Sequence, residues 1–298
     1  MGGDTMKRSI VAALASAALI SVVTLPAIAS SDKPVIALTN AYYGNTWRHQ
    51  MVEAFEASAK EAKAAGQIAD YIVMNGDGSV AQQNSQIAEL ILDFEGYKAT
   101  QAEAVFKMLG GKGNVIQVRG VKGSAPDNDM FNAQQSVLAK YPDIKVVATV
   151  YGQATASVAQ AAIANVLPSL PHVDAVLGQG GSDDVGIAQA FVQYGGDYAG
   201  KMPIIEGGGG TDFVKWWADE NAKNGYQTVS MNTTPGIGGA AFWLGLSLLK
   251  GAKAPKMMIM PVATVDASNL KEYAKLPGGQ IISPSYSLDW VKQNLLSK

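Results

Sequence analysis

Asparagines, aspartates and aromatic residues recur in this chain where a strand hands over to a helix. Those residue types can grip a small polar molecule. Asn40, Tyr42, Tyr43, Asn45 and Trp47 follow the apolar run Val35-Ile36-Ala37-Leu38. Such a run reads as a buried strand, and in an open α/β sheet ligands bind at the carboxyl edge of the strands. The same residues also fit a capped helix start with two exposed tyrosines. Further along, Asp127 and Asp129 open one helix and Asp183-Asp184 open another. Acids in a first turn complement the helix dipole. As functional groups, Asp127, Asn128, Ser182, Asp183 and Asn232 facing one cleft accept hydrogen bonds from hydroxyls. Two acids flanking a glycosidic bond could also hydrolyse it, so a secreted glycan-active hydrolase stands beside a binding protein.

Other chemistries lack their residues. His49 and His172 are the only histidines and there is no cysteine, which leaves no zinc set and no disulfide framework. Glycine-rich turns follow strands at Gly76-Asp77-Gly78, Gly120–Gly123, Gly178–Gly181 and Gly207–Gly210, but none is a phosphate motif. Asp183 stands where a dinucleotide fingerprint needs its third glycine, and Lys112 is followed by Gly113 rather than Ser or Thr. No Gly-x-Ser-x-Gly elbow occurs. Neither a metal nor any other cofactor is expected. The net charge of −2, without a basic run past the first residues, excludes a nucleic-acid surface. Trp216, Trp217, Trp243 and Trp290 are further stacking candidates, and of the adjacent pair Trp216-Trp217 only one is expected to be fully buried.

The elements that position these groups can be read from periodicity. Lys7-Arg8, the apolar run Ile10–Leu25 and Pro26-Ala27-Ile28-Ala29 have the layout of a cleaved signal peptide over 1–29. That points to the periplasm. With 298 residues and 48% apolar content, the rest can build about two domains. After the first strand, Trp47, Met51, Phe55 and Ala59 form one apolar stripe, predicting a helix from Thr46 to about Ala65. Asp70–Asn75 is a strand and Ser79–Leu92 a helix. Asp93–Leu109 is helical again, so two helices abut where a βαβ winding needs a strand. From Gly110 strands and helices alternate. The strands are Asn114–Val118, Lys145–Tyr151, Asp174–Leu177, Pro203–Ile205, Tyr226–Met231 and Met257–Val262. The helices are Ala125–Lys140 with Ser124 as cap, Thr155–Leu167, Asp183–Tyr194, Asp212–Asn224 and Ile237–Lys250. This is an α/β chain of doubly wound design.

Val35–Trp47, the stretch Ser79-Val80-Ala81-Gln82-Gln83-Asn84-Ser85-Gln86, and Gly111-Lys112-Gly113-Asn114-Val115 through Lys250-Gly251-Ala252 together resemble type I periplasmic sugar-binding proteins. These are the ribose-binding-like receptors of ABC importers. The resemblance implies two Rossmann-like lobes joined by a hinge, closing on a monosaccharide or polyol. It also implies delivery to ABC permease membrane subunits, action as a monomer and no enzymatic activity. By matching position it places ligand contacts on Asn40, Tyr43 and Trp47, then on Asp127 near a position where relatives often carry arginine. Ser182 or Asp183 stands in place of an Asn-Asp pair, and Asn232 completes the set. The usual aspartate after a later strand is here Gly208 or Gly209. Relatives have a third strand, its helix and a fourth strand that would fall at the Leu92–Asp93 junction. The first lobe is therefore expected to lack about one βαβ unit, a piece of some 30 residues, with weakened or absent sugar binding. The expected domains are 30–92 for the first lobe, completed by about 237–265, then 93–236 for the second lobe, and 266–298 as a tail near the hinge.

Overall fold

The computed structural model describes residues 33–40, 43–75, 89–91 and 94–297. The expected signal peptide, Tyr42, the turn 76–78 and most of the helix expected over 79–92 lie outside the described residues. The chain begins with β1 (Val35–Asn40), α1 (Thr46–Ala64), β2 (Asp70–Asn75) and β3 (Glu89–Ile91). Next come α2 (Phe94–Met108), β4 (Lys112–Arg119), α3 (Ala125–Leu138), β5 (Asp143–Tyr151), α4 (Ala156–Val166) and β6 (Ala175–Leu177). They are followed by α5 (Asp183–Tyr194), β7 (Ile204–Ile205), α6 (Thr211–Asn224), β8 (Ser230–Thr233) and α7 (Ile237–Leu249). β9 (Met257–Ile259), β10 (Val262–Val265), the short α8 (Leu270–Tyr273) and α9 (Leu288–Asn294) complete it.

The second lobe is a four-stranded parallel sheet in the order β5-β4-β6-β7. Its strands alternate between two apolar layers, as a sheet covered on both faces must. Ile116, Val118 and Val176 face Ile163 of α4 and Ile187 and Phe191 of α5. Val115, Ala175 and Leu177 face Val105 and Phe106 of α2 and Val137 of α3. A Cβ built at Gly186 would overlap the Ala156 carbonyl, so α4 and α5 approach only because this residue has no side chain.

The first lobe is smaller. β1 and β2 form a parallel pair in register from Val35–Asp70 to Asn40–Asn75. Ile36, Leu38, Tyr71 and Val73 point to a core built with Phe55 and Ala59 of α1, Phe242, Trp243 and Leu246 of α7, and Val291 of α9. The apolar stripe of α1 therefore buries as its spacing predicts, and α7 comes back to cover it. Gly238 makes this possible, because a Cβ there would overlap the Met51 carbonyl. The other face of the pair is bare: Val35, Ile72 and Met74 are 53%, 49% and 50% exposed. A doubly wound sheet covers that face with a second helix layer. Residues from 265 on touch both halves. Val265, Leu270 and Ile282 pack on Val214 and Trp217, whereas Tyr286, Val291 and Leu295 join the α1–α7 core. Trp217 is fully buried and Trp216 only partly, as their adjacency requires.

Three expected elements are corrected. Glu89–Ile91 is a strand, parallel to β9, and not the end of a helix. An apolar run this short carries no usable period, and the neighbouring strand supplies its ladder. A strand thus does stand before α2, although a short one. The strand expected at Tyr226–Met231 begins only at Ser230; before it Thr228 gives its hydroxyl to the Ile205 carbonyl, and the Val229 carbonyl accepts from Gly207 N at 3.0 Å and from Gln101 Nε2 at 3.1 Å. Met257–Val262 is two strands. Pro261 lacks a ladder donor, and the chain turns from β9, paired with β3, into β10, antiparallel to β8.

Candidate functional site

The polar groups gather where strands of both lobes end. Asn40, last residue of β1, is 3% exposed. Its Nδ2 donates to Asn75 Oδ1 at the end of β2, 3.1 Å away. Its own Oδ1 is buried with no hydrogen-bond partner among the described residues. A buried acceptor without a donor costs about 1–3 kcal/mol, so a hydroxyl placed there would be gained at full value.

The start of α1 reaches across to the other half of the molecule. Asn45 serves as the N-cap, accepting from Arg48 N at 2.9 Å. Trp47 Nε1 donates to the Thr233 carbonyl at 2.8 Å, and Asn232 Nδ2 donates to the same oxygen at 2.9 Å and to the Ile282 carbonyl at 3.0 Å. Gln50 grips Ile281 through both its backbone groups, at 3.1 and 2.6 Å. Trp47 and Asn232, far apart in sequence, are thus brought onto one carbonyl. Asn232 Oδ1 fills the space that a side chain at Gly209 would occupy. Tyr43 is 39% exposed, with its ring 4.2 Å from His49.

A second group forms at the carboxyl ends of β4, β5 and β6. Asp127 is 1% exposed and its carboxylate is taken by Arg119 through Nε at 2.9 Å and Nη2 at 2.8 Å. Asn128 Oδ1 accepts from the same Nη2 at 3.0 Å. The guanidinium lies 4.1 Å from the Phe131 ring centre and 5.3 Å from that of Tyr151, within cation–π range of both. Gln179 ties this group to the next turn: its Nε2 donates to the Asp127 carbonyl at 3.0 Å and its Oε1 accepts from Gly120 N at 2.8 Å.

Asp183 and Asp184 are turned inward and fully buried. Asp183 accepts from Gln179 N at 3.2 Å and Gly180 N at 3.1 Å, and Asp184 accepts from Gly208 N at 2.8 Å. Burial, with the charge of Asp184 beside it, pushes the Asp183 carboxyl up to about 7. Burial raises Asp184 to about 6. Ser182 caps α5 by position but makes no side-chain cap bond.

Of the residues singled out in the sequence, then, Trp47 and Asn232 meet, and Asn40 supplies an open acceptor in the first lobe. Asp127 and Asn128 face Arg119, Asn45 is a cap, and Asp183 holds backbone amides. Arg119, Tyr151, Gln179 and Gln50 were not singled out, although the rule that pointed to Asn40 applies to Arg119 and Tyr151, each the last residue of its strand. Among the described residues no group of three or more His, Cys, Asp or Glu side chains is placed to hold a metal ion. A hollow of about 330 Å³ opens between α1 and residues 235–239 and 283–287, with Gln50 and Ser283 in its lining. It does not include Asn40, Asp127 or Asn232.

Known proteins match this chain in sequence and fold. The pattern that describes the periplasmic binding protein domain matches residues 92–253. A solved ABC transporter solute-binding protein from Thermobispora bispora is 30% identical, with 88% of this chain and 94% of that one covered and a TM-score of 0.77. The xylitol-binding protein of Mycolicibacterium smegmatis is 32% identical over 98 residues. That stretch is 33% of this chain and spans only 28% of the length of the relative. An ABC transporter periplasmic solute-binding protein from Actinobacillus succinogenes, solved with D-allose, shares the fold at 19% identity and a TM-score of 0.62, covering 81% of this chain and all of that one.

Proposed function

The chain belongs to the periplasmic binding protein family, and from that premise we propose that it binds a monosaccharide or polyol between its two lobes for an ABC importer. The observation that carries the choice of ligand is the buried Asn40 Oδ1 at the carboxyl end of β1, without a hydrogen-bond partner among the described residues. A carboxamide oxygen in such a place takes the proton of a hydroxyl. Trp47 offers a flat apolar face for a ring's C–H groups, with Asn232 and the Arg119–Asp127–Asn128 group across from it as the second lobe's contribution. By their sequence positions beside these residues, Tyr42, Tyr43, Asn45, Ser182 and Asp183 complete the proposed ligand set. Closure on the ligand shifts the population toward a form that binds it better, and the closed form presents both lobes to the permease.

Hydrolysis is not supported. Asp127 is engaged by Arg119 and Asp183 by backbone amides, so neither is free to protonate or attack a glycosidic oxygen. We read the protein as a non-enzymatic monomer, exported by residues 1–29 to the periplasm. No helix among the described residues is long and apolar enough to cross a membrane.

We also infer that the first lobe is short by about one βαβ unit. The bare face of Val35, Ile72 and Met74 supports this, as does the two-stranded β1–β2 sheet beside a four-stranded one. On this division residues 30–92 and about 237–265 make the first lobe, 93–236 the second, and 266–298 the tail at the hinge. Calorimetry against a panel of pentoses, hexoses and polyols tests both statements. Saturable binding of a panel member, weaker than in a version of the chain with the missing unit restored, is expected. Equal affinities in the two proteins would sink the idea that the short lobe weakens binding.

A further inference from the structure

Beneath the turns that end β6 and β7 lies a polar cluster that the ligand-binding reading does not use. Lys98, on α2, has no exposed surface. Its Nζ donates to the Gly178 carbonyl and to Gln101 Oε1, each at 2.8 Å, and lies 3.4 Å from Glu206 Oε2. Gln134 of α3 donates to the same Gly178 carbonyl and to Glu206 Oε2, both at 3.1 Å. Gln101 donates to the Gly207 carbonyl at 2.7 Å. From the other side, Asp183 and Asp184 of α5 accept from Gly180 N and Gly208 N.

Backbone groups in both glycine turns are therefore held by the side chains of this cluster, among them Gly178 O, Gln179 N, Gly180 N, Gly207 O and Gly208 N. Glycine turns have no side chains with which to hold themselves, and a Cβ at Gly208 would overlap Gly180 Cα, so the two turns also lie against each other. Three of the groups in and around this cluster are acids, Glu206, Asp183 and Asp184, all essentially unexposed. Lys98 is the one buried cation among the described residues. Among the described residues Glu206 Oε1 has no hydrogen-bond partner, and Lys98 is the cation paired with that carboxylate. Tyr97, next to Lys98, gives its hydroxyl to Met130 Sδ at 3.1 Å and brings no charge.

We propose that Lys98 is a positioning residue for the second lobe's ligand face, the shared counter-ion of three buried acids that lets them hold the turns at Gly178–Ser182 and Gly207–Gly210. Removing one partner of a buried ion pair leaves an uncompensated charge. Here the loss reaches three acids and, through them, the backbone that faces the ligand. The inference rests on reading these turns as ligand-facing, so its test is run without any sugar.

Amide hydrogen exchange on the full chain at pH 8 is compared for the parent, Lys98→Met, Glu206→Gln and the double variant. Lys98→Met is expected to speed exchange of peptides covering 178–184 and 206–210 about tenfold, with peptides from β5 unchanged. Adding Glu206→Gln removes the carboxylate in contact with Lys98, one of the three charges left uncompensated, and returns exchange part of the way to the parent. The melting temperature gives a second readout. The loss caused by Lys98→Met is expected to be large at pH 8 and smaller at pH 5, where Asp183 and Asp184, raised to about 7 and about 6, take up protons. Equal losses at both pH values mean that Lys98 is only filling space, and would overturn the proposal. So would failure of the double variant to recover. If Lys98→Met does not fold, Glu206→Gln alone decides: parent-like protection of both turns supports the shared counter-ion, and loosened turns contradict it. A sugar titration of the parent fails or succeeds separately, so loss of the functional reading leaves these outcomes interpretable.

Discussion

The buried acid pair makes the protein's stability fall as pH rises through neutrality. Asp184 has an ordinary carboxyl value of 3.8 when unfolded and about 6 when folded, because burial disfavours its charged form. A raised folded value means that the native state binds more protons than the unfolded chain between those limits. Its contribution is fully present below the unfolded value and is lost as pH rises through the folded one. Each unit of pKa difference is worth about 1.4 kcal/mol, so Asp184 alone corresponds to roughly 3 kcal/mol between about pH 4 and pH 7. Asp183, raised to about 7, acts in the same direction, and Glu206 is raised by burial as well. Exposed acids with lowered values, such as Asp70 and Asp266, act in the opposite sense but only below about pH 4. Urea unfolding at pH 5, 6, 7 and 8 reads the effect directly. Stability at pH 5 is expected to exceed that at pH 8 by several kcal/mol, and Asp183→Asn, which keeps an acceptor for Gly180 N without the charge, flattens the profile. Stability that is level or rising from pH 5 to pH 8, or an Asp183→Asn profile that overlies the parent, would refute the reasoning.

Other expectations follow from packing and pairing. Gly238→Ala drives a methyl into the Met51 carbonyl where α1 meets α7, at a cost of about 1–3 kcal/mol; Gly245→Ala on the same helix meets nothing within 4 Å and should be neutral or up to about 1 kcal/mol stabilising. Denaturant midpoints for the two variants check the contrast. Trp217→Ala empties a site with no exposed surface and is expected to cost about 3–5 kcal/mol by the same assay. Arg119→Met leaves Asp127 buried without its fork, a loss of about 3–5 kcal/mol, and thermal melting should show a larger drop than for Lys122→Met, whose side chain is exposed.

Much of the fold was legible because it rests on period and punctuation. The stripe Met51, Phe55, Ala59 and the strand-helix alternation from Gly110 are statements about which face meets the core, and the core obeyed them. Where length failed, reading failed: Glu89–Ile91 is three residues, and only its partner β9 makes it a strand. Pro261 was visible, yet its effect depends on two different neighbours competing for the residues on either side. The site was half legible. The strand-edge rule points to Asn40 and Trp47 as candidates, but the partners of Asp127 and Asp183 are ones that sequence spacing does not reveal. Asp127 meets Arg119 eight residues earlier because a strand and a helix fold back on each other, and Asp183 turns inward to amides of a glycine turn. The Lys98–Glu206 pair joins residues 108 positions apart, and nothing in either local sequence announces it.

The most direct measurement of the central claim is a fluorescence titration that uses Trp47, bonded to the Thr233 carbonyl between the halves of the molecule, as the reporter. A saturable change in tryptophan emission with a pentose, hexose or polyol is predicted. It should be lost in Trp47→Phe while calorimetry still detects the ligand, and weakened at least tenfold in Asn40→Ala, about 1.4 kcal/mol. No saturation with any member of the panel, together with turnover of an aryl glycoside by the same sample, would contradict the account.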